Sequence, residues 1–179
     1  MIILDIESGG LDPITNPMLS LGAVDYTTGE EFYGECRASQ GTQIDDRALE
    51  VNGFTFAQCH DITKDTEADL YAKFLSWCMG RETLLAGQQV GAFDIRFLRE
   101  IHDKNKTVTW AFGGLWPFGH RSVDLHSTAF AILGKSLSLD GILTAVGLLP
   151  EPQPHNALTG ARLERDAFKR LLGAPGWKS

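Results

Sequence analysis

Residues 1–10 read Met1-Ile2-Ile3-Leu4-Asp5-Ile6-Glu7-Ser8-Gly9-Gly10. An apolar run from Ile2 to Ile6 that breaks into acids and then glycines has the length and ending of a buried strand entering a loop. Side chains alternate across a strand, so Asp5 and Glu7 share one face while Ile2, Leu4 and Ile6 share the other, toward a core. Two carboxylates side by side repel unless a cation sits between them. Hard oxygen ligands with room for water suit Mg²⁺ or Mn²⁺. Taken alone, the acid pair is also what a strand end reaching solvent looks like.

Working outward, Met18 to Tyr26 reads as a second strand. A Thr27-Thr28-Gly29 turn then leads to a third over Glu31–Arg37, where Phe32, Gly34 and Cys36 alternate with Tyr33 and Glu35. The three form an antiparallel meander. Thr66, with Asp69 three residues on, opens a helix whose Leu70, Phe74, Trp77 and Cys78 lie on one face. A brief strand over Leu84–Gly87 precedes a helix over Phe93–Lys104 with Ile95, Leu98 and Ile101 inside. Ser122–Leu125 is a last short strand. Helices near His126–Leu133 and Leu139–Val146 lead to a final helix beginning close to His155. Strands first, then strand–helix alternation, predicts an α/β fold: five strands in a mixed sheet, the meander plus two parallel strands, flanked by helices.

The bulk properties agree with one domain over residues 1–179. The chain is 43% hydrophobic, enough for a core, and carries neither a repeat nor a low-complexity stretch. Its net charge of −7 argues against coating nucleic acid by charge alone, but not against handling it through metal ions held by carboxylates. No apolar run is long enough to span a membrane, and the N-terminus lacks the basic start of a signal peptide. Cys36, Cys59 and Cys78, an odd and widely spaced set, read as buried thiols in a reducing cytoplasm.

Two further motifs stand beside the acid pair. Asp94 sits in Gly91-Ala92-Phe93-Asp94 at a helix start, where an acid also serves the helix dipole. His155 follows a loop with Pro150, Pro152 and Pro154 and precedes the last helix, a place where a histidine is often a bystander. In order, the acid pair, the Phe-Asp start of a middle helix and His155-Asn156-Ala157-Leu158 at the last helix resemble the DEDDh family of 3′–5′ exonucleases. That is the proofreading-exonuclease superfamily, with a ribonuclease-H-like fold, and the resemblance runs from Ile3 to Leu172.

The resemblance implies two-metal hydrolysis, with Mg²⁺ or Mn²⁺, of the phosphodiester at the 3′ end of single-stranded DNA or RNA, releasing nucleoside monophosphates. It assigns Asp5 to both metals, Glu7 to the one that activates water and Asp94 to the other, and makes His155 the acceptor of the water proton. Ser8, Gly9, Gly10 and Leu11, with Phe93 near Asp94, match where the terminal nucleotide is seated, Leu11 as an apolar wedge. Several members are dimers, so a homodimer is an expectation. Few residues follow the last helix, which favours a free-standing enzyme over a polymerase-docked proofreading subunit.

The chain departs from the family at one metal position. Five residues after the histidine the family has Asp; here Gly160 stands. At 100° per residue, Ala157, Gly160, Ala161, Phe168, Leu171 and Leu172 form an apolar stripe, with Arg162, Arg165, Asp166, Lys169 and Arg170 opposite. Glu164 falls within the apolar stripe, where an unpaired acid is costly. Because helical side chains lean toward the N-terminus, Glu164 is expected over Gly160 as the replacement fourth carboxylate. The competing reading is an inactivated site in a module that binds nucleic acid or a protein. Val90, where members often have Asn, is a smaller departure. Trp110, Phe112, Trp116 and Phe118, near His120 and Arg121, form either a core or dimer contact or a platform for bases.

Overall fold

The computed structural model describes residues 1–105 and 114–173. Its sheet has six strands: β1 (Ile2–Ser8), β2 (Met18–Asp25), β3 (Glu31–Arg37), β4 (Asp65–Thr66), β5 (Leu85–Gly87) and β6 (Ser122–Asp124). They lie in the order β4-β3-β2-β1-β5-β6. The first three form the expected antiparallel meander, and β5 and β6 run parallel to β1 and to each other. The strand beyond the expected five is β4, two residues long, which pairs parallel with β3 at its edge. A two-residue strand has no periodicity to betray it.

Seven helices accompany the sheet among the described residues: α1 (Asp46–Asn52), α2 (Phe56–Cys59), α3 (Glu67–Cys78), α4 (Asp94–Lys104), α5 (Leu125–Leu133), α6 (Leu139–Ala145) and α7 (Ala157–Leu172). The capping box expected at Thr66 is present, the Thr66 hydroxyl and the Asp69 carboxylate each serving the other's amide. The two short helices α1 and α2 carry no apolar stripe, and only Asn52 and Cys59 in them are buried.

Alternation along β1 divides the core. Ile2, Leu4 and Ile6 point to one face and pack with Leu70, Tyr71, Phe74 of α3 and Phe97, Leu98, Ile101 of α4. Ile3 points to the other, into a cluster with Leu125, Ile142, Leu143, Ala161, Phe168 and Leu171 from α5, α6 and α7. Helix α7 crosses β1 and β2 on that second face, the face that also carries Asp5 and Glu7. The cysteines are buried free thiols. Phe118 belongs to the first core, stacked 5.7 Å from Phe74, and Trp116 meets it edge-on at 5.1 Å. Trp110 and Phe112 lie outside the described residues. No described helix is long and apolar enough to cross a membrane.

Candidate active site

The meander and the parallel strands meet at β1, so the sheet changes its pairing direction there, and a cleft opens beyond the carboxyl end of that strand, where open α/β sheets commonly bind ligands. The cleft has a volume of about 580 Å³. Asp5, Glu7, Asp94, His155 and Glu164, scattered over the chain, all line it.

Local structure delivers each of them. Asp5 and Glu7 project from β1 on the α7 side, as the strand period requires. Asp94 is the first residue of α4; its helix has no side-chain cap at Phe93, and at 3% exposure Asp94 is an inward-facing acid rather than a solvated first-turn one. Asn156, not His155, caps α7, its carboxamide oxygen accepting from the Thr159 amide at 3.2 Å. That leaves the His155 ring free, while its backbone N–H donates to the Val51 carbonyl of α1 at 2.9 Å. Glu164 is 2% exposed on the buried stripe of α7, whereas Asp166 is exposed.

The atoms nearest the open side of Gly160 are not those of Glu164. A Cβ placed on Gly160 would lie 2.0 Å from Asp5 Oδ2, 2.9 Å from Asp5 Cγ and 3.4 Å from Glu151 Oε1, so other carboxylates fill that space. Glu164 turns toward β5 instead, its Oε2 only 3.0 Å from where a Cβ on Gly87 would stand. Helical periodicity fixes the face on which Glu164 lies, but a sheet neighbour without a side chain fixes where its carboxylate goes.

Burial and crowding hold protons on these acids. Removal from water, then the charge of Glu151, raises the Asp5 carboxyl to about 7. Removal from water, then Asp5 and Glu151, raises Glu7 to about 9. Asp94 and Glu164 are pushed well above the usual range by burial first and by the Asp5 charge second. Asp94 Oδ1, Glu151 Oε1 and Glu164 Oε2 are buried without a hydrogen-bond partner among the described residues. Buried oxygens left unmatched in this number are costly and mark a place built to be completed by something else.

The rim is wider than the motifs foretell. Helix α1 forms one wall with Arg47, Ala48, Val51 and Asn52, and Asn52 Nδ2 donates to the Ser8 carbonyl at 3.0 Å, tying that wall to the end of β1. Ser8, Gly10, Leu11 and Phe93 line the cleft. Leu11 is 81% exposed there, and the Ser8 hydroxyl donates to the Gly10 carbonyl at 2.6 Å. Gly9 faces Pro17 and Ile44. Val90 is buried in the core, and its neighbours Gln88 and Gln89 reach the cleft, Gln89 with a positive φ of 52°. Trp116 and Phe118 are not among the lining residues. Glu151, which no motif singled out, lies with Glu7 and His155 so that one ligand atom from each falls within 4.8 Å of the others.

No family model matches the chain. Over 175 residues it is 27% identical to a DNA polymerase III PolC-type of Thermotoga petrophila and 26% identical to that of Thermotoga maritima; each match covers 96% of this chain and 12% of the polymerase. Among solved structures, E. coli Exonuclease I in complex with a 5cy-dT13 oligonucleotide superposes with a TM-score of 0.77 at 18% identity, over 97% of this chain and 40% of that one. The fold is that of the superposed part of exonuclease I. The zinc-ion-bound form of the exonuclease I–single-stranded DNA complex superposes with a TM-score of 0.76 at 20% identity, over 98% of this chain and 40% of that one. The likeness to exonuclease I bears out the mixed α/β class expected from the order of elements and the ribonuclease-H-like fold implied by the family resemblance, with the sheet one strand wider. This chain spans less than half of exonuclease I and about an eighth of the PolC-type proteins.

Proposed function

We propose that the chain is a divalent-metal-dependent 3′–5′ exonuclease, hydrolysing the terminal phosphodiester of single-stranded DNA or RNA and releasing nucleoside monophosphates. The observation that carries this reading is the set of buried, partnerless carboxylate oxygens gathered around Asp5 beside His155. Carboxylates alone, with open space beside them, suit hard cations such as Mg²⁺ or Mn²⁺, two to a site. Bound there, such ions would activate water and offset charge on the scissile phosphate. Asp5, Glu7, Asp94 and Glu164 are the residues that would hold them, Glu164 supplying the fourth carboxylate.

The chain's own groups do the rest. With Nδ1 turned to Glu151 Oε2 at 3.6 Å, the imidazole of His155 keeps its other nitrogen for a proton. As water oxygen bonds to phosphorus, its proton passes to His155, the bond from phosphorus to the 3′ oxygen of the preceding nucleotide breaks, and the terminal nucleotide leaves with its 5′ phosphate. Leu11 and Phe93 offer apolar surface to the terminal base, Ser8, Gly9 and Gly10 shape the turn beneath it, and Arg47 offers a cation to the backbone.

Gly160 favours a second reading, an exonuclease-fold module that binds nucleic acid or a protein without cleaving. One assay separates the two. A 5′-labelled single-stranded oligonucleotide incubated with the protein and Mn²⁺ is expected to shorten stepwise from its 3′ end, and Asp5→Asn to abolish the shortening. Retention of an uncleaved strand by the wild-type protein under every divalent ion tried establishes the second reading.

A further inference from the structure

Gly160 leaves open how the side of the cleft around Glu7 acquires its full set of ligands, because Glu164 has gone elsewhere. The carboxylates whose charges bear most on Glu164 are those of Asp5 and Asp94, and its free oxygen reaches toward β5. Glu7 has a different neighbour. Glu151 sits in the loop between α6 and α7, its side chain only 5% exposed, and it faces Glu7 and His155 together.

Two details decide what its carboxylate is for. Oε2 stands 3.6 Å from His155 Nδ1, beyond hydrogen-bond length, whereas a carboxylate serving only to orient an imidazole would close to roughly 2.7–2.9 Å. Oε1 is buried, has no partner among the described residues, and lies 3.4 Å from the position of a Cβ on Gly160. It therefore borders, beside Asp5, the room that an acid at residue 160 would need. The loop is also anchored: the Glu151 amide donates to Asp140 Oδ1 of α6 at 2.9 Å, and the His155 amide to Val51 of α1. Such fixing from two sides is what a ligand held ready for a cation requires.

We infer that Glu151 is a metal-binding carboxylate, standing beside Glu7 in the place vacated at Gly160, while Glu164 serves the Asp94 side. The inference rests on the metal-dependent reading above and completes it: the missing acid is replaced by two glutamates, one from the loop before α7 and one from two turns within it. Glu151 then presents one oxygen to the cation and keeps the other toward the ring of His155.

The test measures Mn²⁺ binding without nucleic acid, by the loss of the free-ion paramagnetic resonance signal on titration into the full chain. The wild-type protein is expected to take up two ions. Glu151→Gln, nearly identical in shape, is expected to weaken one of them about tenfold or more and to change the other less than about threefold. Glu151→Asp, shorter by a methylene, is expected to weaken the same ion, and circular dichroism verifies that both variants fold. Two ions held as tightly by both variants as by the wild type overturn the assignment alone; a changed pH–activity profile with unchanged Mn²⁺ binding does the same, reducing Glu151 to a positioning residue for His155. Absence of any Mn²⁺ uptake by the wild-type protein overturns the metal-dependent reading and this assignment with it.

Discussion

Adding one methyl group at residue 160 is the sharpest perturbation the site offers. In Gly160→Ala the new Cβ would start 2.0 Å from Asp5 Oδ2, and contacts under 3.0 Å are essentially never seen, so the carboxylate must retreat by about 1 Å. Helix α7 packs tightly across β1 and β2, with the backbone of Ala157 only 2.2 Å from where a Cβ on Gly22 would be, so moving the helix off Asp5 would open that packing. Overpacking of this kind costs about 1–3 kcal/mol. Replacing glycine by alanine inside a helix returns about 0.8–1.0 kcal/mol. The return offsets only the low end of the cost, leaving a net loss between about zero and about 2 kcal/mol, or a fall in Tm of up to about 8 °C for a chain of this size. Function is the better readout, because misplacing a reacting group by about 1 Å can cost roughly 100-fold in rate. Mn²⁺ affinity by titration and release of nucleotides from a 5′-labelled oligonucleotide should both fall sharply while the fold persists. Gly160→Asp, which restores the family's acid on paper, carries the same Cβ and is expected to do no better. A gain in Mn²⁺ affinity or turnover in Gly160→Asp would refute the reasoning and show that the site had simply lost its acid.

Three other outcomes are expected. Asp5 and Glu7 hold their protons to about 7 and about 9, above the values of an unfolded chain, so the metal-free fold binds protons more tightly than the unfolded state. The stability contributed by these two groups is therefore greatest at low pH and drains away as pH rises through roughly 4 to 9, at about 1.4 kcal/mol per pH unit for each group titrating, and added Mg²⁺ should stabilise more at higher pH; thermal melts in chelator that rise with pH across that range would contradict this. Glu164→Gln replaces a buried, protonated carboxyl whose Oε2 has no partner among the described residues with a neutral amide of the same shape, so the metal-free Tm should hold while Mn²⁺ affinity and exonuclease activity drop; unchanged affinity would remove Glu164 from the site. Leu11→Ala, trimming a side chain 81% exposed at the cleft, should leave the Tm alone and raise KM for an oligonucleotide about fivefold, the equivalent of about 1 kcal/mol of lost apolar contact; an unmoved KM would place the terminal base elsewhere.

What was legible in the sequence had a period. The two-residue repeat of β1 separates Asp5 and Glu7 from Ile2, Leu4 and Ile6, and the 3.6-residue repeat of α7 sets Glu164 among buried residues and Asp166 among exposed ones. What escaped had none. Helix α1 is seven residues with one buried side chain, and its only signals are the Asp45 cap and Gly53 in the left-handed conformation at its end. Glu151 lies between Pro150 and Pro152 in irregular chain, where an acid looks like solvated linker. Its one cue was an acid four residues before His155. The aim of Glu164 was hidden for another reason: it depends on Gly87 and on where Asp5 points, both contacts across the sheet that no local pattern encodes.

The charges of the cleft impose a condition that residue positions alone do not. Asp5, Glu7, Asp45, Asp94, Glu151 and Glu164 line it against one arginine, Arg47, among the described residues. A nucleic-acid strand adds about one negative charge per phosphate, so a metal-free cleft would repel the substrate proposed for it. Protons alone do not resolve this, because a carboxyl protonated to stay buried offers a weaker ligand to a phosphate's counterion. Divalent cations bound as proposed would, by replacing those protons and presenting positive charge to the strand. The chemistry then constrains the number of oxygens around Asp5 and their distance from it, not the turn of α7 from which they come. Once the Asp5 carboxylate filled the space over Gly160, an acid at that residue could add no oxygen without displacing another. Under the proposed assignment, glutamates on the neighbouring loop and deeper in α7 would meet the same requirement without the collision.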